Sequence, residues 1–348
     1  MTIEAWIRAH VPLEEATSAE LRYERMLRES AEPLPGVHRP ADPGQPFDWV
    51  DAAAIGAFLA ALRGGRVLDL GTGDGWPGLP LARHVREVVA LDPSPRRAGA
   101  AQENARALGL RNVEVVCAPA EELPFPDGSF DGVVAATSIE QSTDPERVLG
   151  EAFRVLRPGG RLAATFEDLA SELREPLEET AELYLDGGEA VYRLVHRSLR
   201  PLREAEYELR FRAEPPLRRA AGAVQPVPTF RATAGEPGLR PVAPDDPVLG
   251  IPLLEAARGS FLSGRFFELV HRSPAETVAL VEEAGFAGAK AYGNIAWLAR
   301  DFFRGLHEEG ALRALAPWMD GVCRAFGRLY RTVPVGRTSV FFLVAERP

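Results

Sequence analysis

Residues Val67 to Ala82 read VLDLGTGDGWPGLPLA, and the fold of the chain turns on them. An apolar run carries one aspartate, Asp69, and gives way to glycines at every second position, Gly71, Gly73 and Gly75. Pro77 and Pro80 then stand where a helix should begin. A glycine loop between a strand and a helix brings backbone N–H groups and bare Cα surface close to a ligand. Gly73 to Gly78 also spells GxGxxG. A dinucleotide fingerprint, however, starts directly after its strand, at Gly71, and would need glycine where Trp76 stands. No Gly-Lys-Ser/Thr follows, which excludes a P-loop. The first turn of a helix has N–H groups without intrahelical partners, so prolines cost little in a helix that starts near Gly78.

Around this loop the pattern alternates. Short apolar strands are expected at 66–70, 87–91, 113–117, 130–136 and 161–166, with helices at 48–62, 79–85, 96–108 and 145–156. Asp48 reads as the N-cap of the first of these helices. Strands that are apolar throughout, alternating with helices, predict a doubly wound, mostly parallel sheet of the α/β class. After Phe166 the rhythm stops; 190–196 and 206–213 alternate like a hairpin, and 215–252 is rich in proline and glycine. It resumes at Ser273-Pro274-Ala275-Glu276, a capping box with proline at the first helical position, in a helix closed by Gly285. Strands at 286–292 and 338–345 would complete a Rossmann-like, seven-stranded sheet. The expected organisation is an N-terminal helical extension (1–62), a central domain (63–166 with 273–293 and 338–348), an α+β cap insertion (167–272) and a helical insertion (294–337).

Read from Asp69, the loop is Asp-x-Gly-x-Gly-x-Gly, and here the chain resembles the class I S-adenosylmethionine-dependent methyltransferases. VLDLGTGDG is similar to their first motif, and VVALDPS to their second strand with its terminal ribose-binding acid. PFPDGSFDGVVA and EAFRVLRPGGRL resemble the stretches around their fourth and fifth strands. The resemblance runs from about Gly64 to Phe166 and resumes at TVALVEEAGF and the C-terminal strand. It implies S-adenosylmethionine as cofactor and S-adenosylhomocysteine as product. The cofactor site it implies comprises Asp69, Gly71, Thr72, Gly73, Gly75, Asp92, Pro93, Ala120, Glu121 and Thr137. Asp92, 21 residues after Gly71, is placed to accept from both ribose hydroxyls. Asp69 would orient the glycine loop and meet the cofactor's amino group, directly or through water. One position departs from the family: where an acid often holds the adenine amino group, this chain has Pro119, leaving the Ala120 N–H and Glu121 as substitutes.

The acceptor is expected beyond the strand ends, near Thr137-Ser138-Ile139-Glu140-Gln141-Ser142. Methyl transfer is an in-line displacement in which alignment supplies much of the rate. A hydroxyl acceptor would want a base, and the candidates are Glu140 in that loop and His196 and His271 in or beside the cap insertion. Glu140 also reads as a helix-capping or solvated residue, and each histidine as a packed or surface one. His, Asp and Glu do not gather at metal-ligand spacing, so no metal is expected. Tyr207, Phe211, Phe230, Phe261, Phe266 and Phe267, with Phe47 and Trp49, are candidates to line a pocket for an aromatic or partly apolar acceptor.

Bulk composition narrows the partners. A net charge of −10 disfavours nonspecific binding to nucleic acid or an anionic membrane. Lys290 is the only lysine, and residues 197–240 hold nine arginines against five acids. Cys117 and Cys323 stand alone, with no disulfide framework, and the N-terminus carries acids early, unlike a signal peptide. No apolar run approaches a membrane span. The expectation is a cytoplasmic methyltransferase acting on a small molecule. The rival readings are an RNA methyltransferase and a cofactor-binding protein of the same fold without methyl transfer. PGLPLA favours the former through its similarity to the small-subunit rRNA guanine-N7 methyltransferases, and Pro119 favours the latter.

Overall fold

The structure, a computed structural model, describes residues 1–23, 42–223, 239–336 and 338–348. Its strands, in chain order, are β1 (Glu14–Glu15), β2 (Arg66–Leu70), β3 (Glu87–Asp92), β4 (Val113–Cys117), β5 (Phe130–Ala136), β6 (Leu156–Glu167) and β7 (Leu177–Asp186). They continue as β8 (Glu189–Leu199), β9 (Leu202–Arg212), β10 (Arg240–Pro241), β11 (Phe261–Val270), β12 (Ala287–Gly293) and β13 (Val340–Glu346). They form two sheets, and the chain divides into two compact units, 24–172 with 272–348 and 1–23 with 173–271.

The first unit holds the seven-stranded sheet, in the order β12-β13-β6-β5-β2-β3-β4. The pairs among β2 to β6 are parallel, and β13 is antiparallel to β6 and β12. Successive side chains of a strand point to opposite faces, and here both faces are dry. Leu68, Val133, Leu162 and Phe341 enter one core, while Val67, Val134, Ala163 and Phe342 enter the other. This is why the strands read as unbroken apolar runs. The chain winds outward from β2 through β3 to β4, then returns to lay β5 on the other side of β2. The strand order therefore reverses at β2, and the loops after β2 and β5 flank the switch point where such sheets bind ligands.

The seven-stranded α/β sheet is as expected, and the capping box at Ser273 and Glu276 is formed in both directions. Other local expectations need correction. Asp48 lies inside the helix Pro46–Ala61, whose N-cap is Gln45, and it accepts the Asp42 N–H at 2.7 Å instead. Trp49 lines no pocket: it is fully buried against Phe303, and its ring N–H donates to the Pro43 carbonyl. That helix meets the helix Met319–Gly327 at Gly56 and Gly327; a Cβ on Gly327 would stand 2.2 Å from the Gly56 carbonyl carbon. Only glycine permits backbones so close.

The second unit is a mostly antiparallel sheet in the order β1-β11-β9-β8-β7-β10. The expected hairpin is β8 and β9, extended by β7 and β11. Residues 1–23 belong to this unit, whereas the sequence suggested a separate extension reaching residue 62. The helix Ile3–His10 places Ile3, Trp6 and Ile7 on the apolar sheet face formed by Tyr192, Leu194, Tyr207 and Leu209. Glu179 of β7 accepts the N–H groups of both Ile3 and Glu4, capping the helix from afar. Tyr207 stacks on Phe266, and Phe211 meets Phe261 edge-on, within this core. Four of the expected pocket aromatics are thus core residues, and Phe230 lies outside the described residues. Phe267 is also buried, on the opposite face with Leu21 and Leu269.

Candidate cofactor-binding site

The glycine loop is built from the switch point upward. Gly71 and Thr72 both donate their N–H groups to the Leu91 carbonyl on β3, at 2.8 and 2.9 Å. Gly71, Gly73 and Gly75 all have positive φ, at 68°, 59° and 120°. A Cβ on Gly71 would stand 2.5 Å from that of Ser138, and one on Gly75 would stand 2.3 Å from a Leu79 methyl. Glycine is therefore required both by conformation and by contact. The helix that follows begins at Gly78, so Pro77 and Pro80 fall at and within its first turn.

Asp69 is fully buried beneath this loop. Its Oδ2 accepts from the Thr72 hydroxyl at 2.7 Å and the Gly78 N–H at 2.9 Å, tying the two ends of the loop together. Its Oδ1 is buried with no hydrogen-bond partner. Burial raises the carboxyl to a pKa of about 7, with the nearby Asp92 adding to the rise. Such an acceptor, left unmet in a buried site, fits a ligand that brings a donor, as an amino group would.

Asp92 ends β3 and is buried. Its Oδ2 accepts the Gly73 N–H at 2.9 Å, and its Oδ1 accepts the Ser94 N–H at 2.9 Å. A carboxylate at this strand tip, held by two backbone N–H groups, is the group type that accepts from ribose hydroxyls. Pro93 follows at the exposed rim beside Cys117, and Ala120 is half-buried after β4. Glu121 points elsewhere: its Oε1 accepts from the Thr143 N–H and hydroxyl, at 3.1 and 2.8 Å. Pro119 is exposed.

The loop after β5 closes the other side of the switch point. Thr137 stands at φ 49°, a conformation a β-branched residue adopts only under constraint. Its N–H donates to the Thr165 carbonyl and its hydroxyl to the Ala136 carbonyl. Ser138 donates to the Leu70 carbonyl, so this loop is pinned directly to the end of β2.

The expected catalytic candidates part company here. Glu140 lies in this loop, nearly fully buried, with Oε1 accepting the Glu167 N–H at 2.9 Å and Oε2 unpartnered. Burial and the charge of Glu167 push it to a pKa of about 8. His196 is in the other unit, its ring nitrogens 3.1 Å from Glu179 and 3.2 Å from Glu4, and serves as the joint between the N-terminal helix and the sheet. His271 ends the same unit, buried and held neutral: burial lowers it to a pKa of about 4. Sequence reasoning missed Glu167 at the end of β6, whose N–H donates to Glu140; the pairing of β6 with β5 brings it there, and no local signal shows it. Among the described residues no group of three or more His, Cys, Asp or Glu is placed to hold a metal ion.

Residues 68–164 match the methyltransferase domain family. Over 99 residues the chain is 46% identical to a demethylmenaquinone methyltransferase of Thermus thermophilus, covering 28% of this chain and 44% of the relative. It is 38% identical over 126 residues to a ubiquinone/menaquinone biosynthesis C-methyltransferase of Cronobacter sakazakii, covering 35% and 49%. The chain thus spans about half the length of the curated relatives it matches. Its fold resembles that of the CcbJ methyltransferase of Streptomyces caelestis, with a TM-score of 0.51 at 15% identity over 95% of this chain and 96% of that one.

Proposed function

We propose that this chain, whose residues 68–164 match the methyltransferase domain family, is a class I S-adenosylmethionine-dependent methyltransferase that transfers a methyl group to a small-molecule acceptor and releases S-adenosylhomocysteine. The observation that carries the reading is the switch point itself. An unpartnered buried Asp69 oxygen lies under a glycine loop whose Gly73 N–H is held by the strand-tip acid Asp92. The cofactor supplies a methyl group on a sulfonium, ready for displacement. Asp69 would take the amino group, Asp92 the ribose, and the Ala120 N–H the adenine edge. The Thr137–Ser142 loop would align the acceptor, and alignment is the main contribution such a displacement needs.

The acceptor reading is a ring-bearing or partly apolar molecule. Relatives of the matched segment are named for demethylmenaquinone and for 2-methyl-6-phytyl-1,4-hydroquinone, the latter in Oryza sativa. The match lies within the cofactor-binding segment, and acceptor selection is the role we assign to the 173–271 insertion. An RNA acceptor is the weaker reading, because several arginines of the insertion are engaged within their own unit. Arg197 meets Glu204, Arg203 meets Glu4 and Glu268, and Arg210 meets Asp186, Glu189 and Glu208. A cytoplasmic site of action goes with this reading, and cell fractionation would check it.

Incubation with methyl-labelled S-adenosylmethionine and a metabolite extract is the test. Label in a small organic-soluble product supports the proposal. Label only in RNA would replace it with the second reading, and cofactor binding without any transfer would leave a binding protein of the same fold.

A further inference from the structure

We propose that Arg97 holds the adenine of the cofactor by its flat face, the guanidinium packing plane to plane on the base. The inference rests on the cofactor assignment above and deepens it with a residue that lies outside the motif VVALDPS.

Its basis is the place of the guanidinium. Gly73 has a positive φ and no side chain, and Arg97 lies against the surface this bares. A Cβ built on Gly73 would stand 3.0 Å from Arg97 Nη1 and 3.7 Å from its Cζ. The same glycine gives its N–H to Asp92 Oδ2 at 2.9 Å. Arg97 and the strand-tip acid therefore meet the glycine loop at one residue. The helix that carries Arg97, Pro95–Ala107, is fixed near both ends. Ser94 caps it by accepting the Arg97 N–H at 3.3 Å, and the Asn104 amide donates to the Asp74 carbonyl of the glycine loop at 2.8 Å.

The two ends of the loop differ. At Gly71 it touches Ser138, after β5; at Gly73 it touches Asp92 and Arg97, at and after the end of β3. With the amino group on Asp69 and the ribose on Asp92, the methionyl part belongs to the first end and the adenosine to the second. Adenine is bonded to the ribose, and its edge is assigned to Ala120, after β4. The helix Pro95–Ala107 connects β3 to β4, and Arg97 stands in its first turn, at the adenosine end. The residues after β4 offer the base little else: Pro119 has no polar side chain, and Glu121 is turned to Thr143. A guanidinium has donors and no acceptor, so it cannot replace an acid at the adenine amino group. What it offers is a planar, weakly hydrated cation that stacks on aromatic faces. The Ala120 N–H would hold the edge of the base, and Arg97 its face.

The test is calorimetric titration of the full-length protein with S-adenosylhomocysteine and with 5′-methylthioadenosine, which keeps the adenosine and lacks the amino-acid part. Arg97→Leu should weaken both ligands by about tenfold, the loss expected of a desolvated cation–π contact. Arg97→Tyr, which restores a flat face without the charge, should bind both within about threefold of wild type. A leucine variant within about twofold of wild type for S-adenosylhomocysteine overturns the inference. A loss confined to S-adenosylhomocysteine also does, because it would put Arg97 at the methionyl end. A tyrosine variant as weak as the leucine one would make Arg97 a brace for the loop, and a wild type that takes only S-adenosylhomocysteine would have no adenosine contact of this strength; each overturns it too. All four results leave the cofactor assignment standing. If wild type binds neither ligand, the assignment itself fails and the inference with it. Should Arg97→Leu not fold, Arg97→Lys, which keeps the charge and loses the plane, takes its place and should show the same loss.

Discussion

Asp92 Oδ2 accepts the Gly73 N–H at 2.9 Å, which makes the strand-tip acid and the middle glycine of the loop one rigid element. The relation has two consequences. It ties the loop to the end of β3, with Gly73 at a positive φ of 59°. It also orients the carboxylate, so that a ribose need not reorganise it on binding.

Asp92→Ala should therefore weaken S-adenosylmethionine binding by about 2–4 kcal/mol, since charge-assisted hydrogen bonds at about 1.5–3 kcal/mol each are lost. Asp92→Asn should fall between the two, because its carbonyl oxygen still accepts while the charge is gone. Calorimetric affinity is the measurement, with the melting temperature as control for the loop. An affinity for the alanine variant within twofold of wild type would rule out the ribose assignment.

How much of this was written in the sequence depends on range. Val67–Ala82 was legible because glycine and proline carry backbone geometry in their own identity. The strand Glu87–Asp92 was legible because apolar residues on both faces leave the unbroken run Val88–Leu91, whereas Val113–Cys117 at the sheet edge keeps Glu114 exposed. Burial through pairing was not. Arg193, Glu182 and Glu206 alternate along their strands as solvent-facing residues do, yet they are buried in an ion-paired cluster. Tyr207 and Trp49 show the converse error: an apolar face reads the same whether it lines a pocket or fills a core. The partner of Ile3 is Glu179, so the N-terminal helix could not be assigned by local pattern to the unit that holds it.

His271 should make stability fall with mild acid. Its folded pKa of about 4 lies below the ordinary value of 6.5, because burial opposes the imidazolium. Between these values the unfolded chain binds the proton and the folded one does not, so stability declines as pH drops below about 6.5. From about pH 6.5 to 5 the loss from this group should be about 1.5 kcal/mol. Urea denaturation at the two pH values measures it, and His271→Leu should lose that component of the slope. A wild-type stability unchanged over this interval would contradict a buried neutral imidazole.

The last prediction separates the two units by function. The cofactor site lies wholly in the seven-stranded unit, between Asp69 and Ser142, and that unit has cores on both faces of its sheet. Residues 1–23 and 173–271 form the other unit, with an apolar core of their own. A variant lacking 1–23, with 173–271 replaced by a short Gly/Ser linker, removes that core as a whole and leaves no half of it exposed. If it stays monodisperse, S-adenosylmethionine affinity should remain within about tenfold, or 1.4 kcal/mol. Acceptor turnover should disappear, because the unit to which acceptor selection is assigned is gone. Persistent turnover would make the second unit an appendage and move the acceptor search to the 294–337 helices. Loss of cofactor binding alone would mean that cofactor binding depends on the second unit.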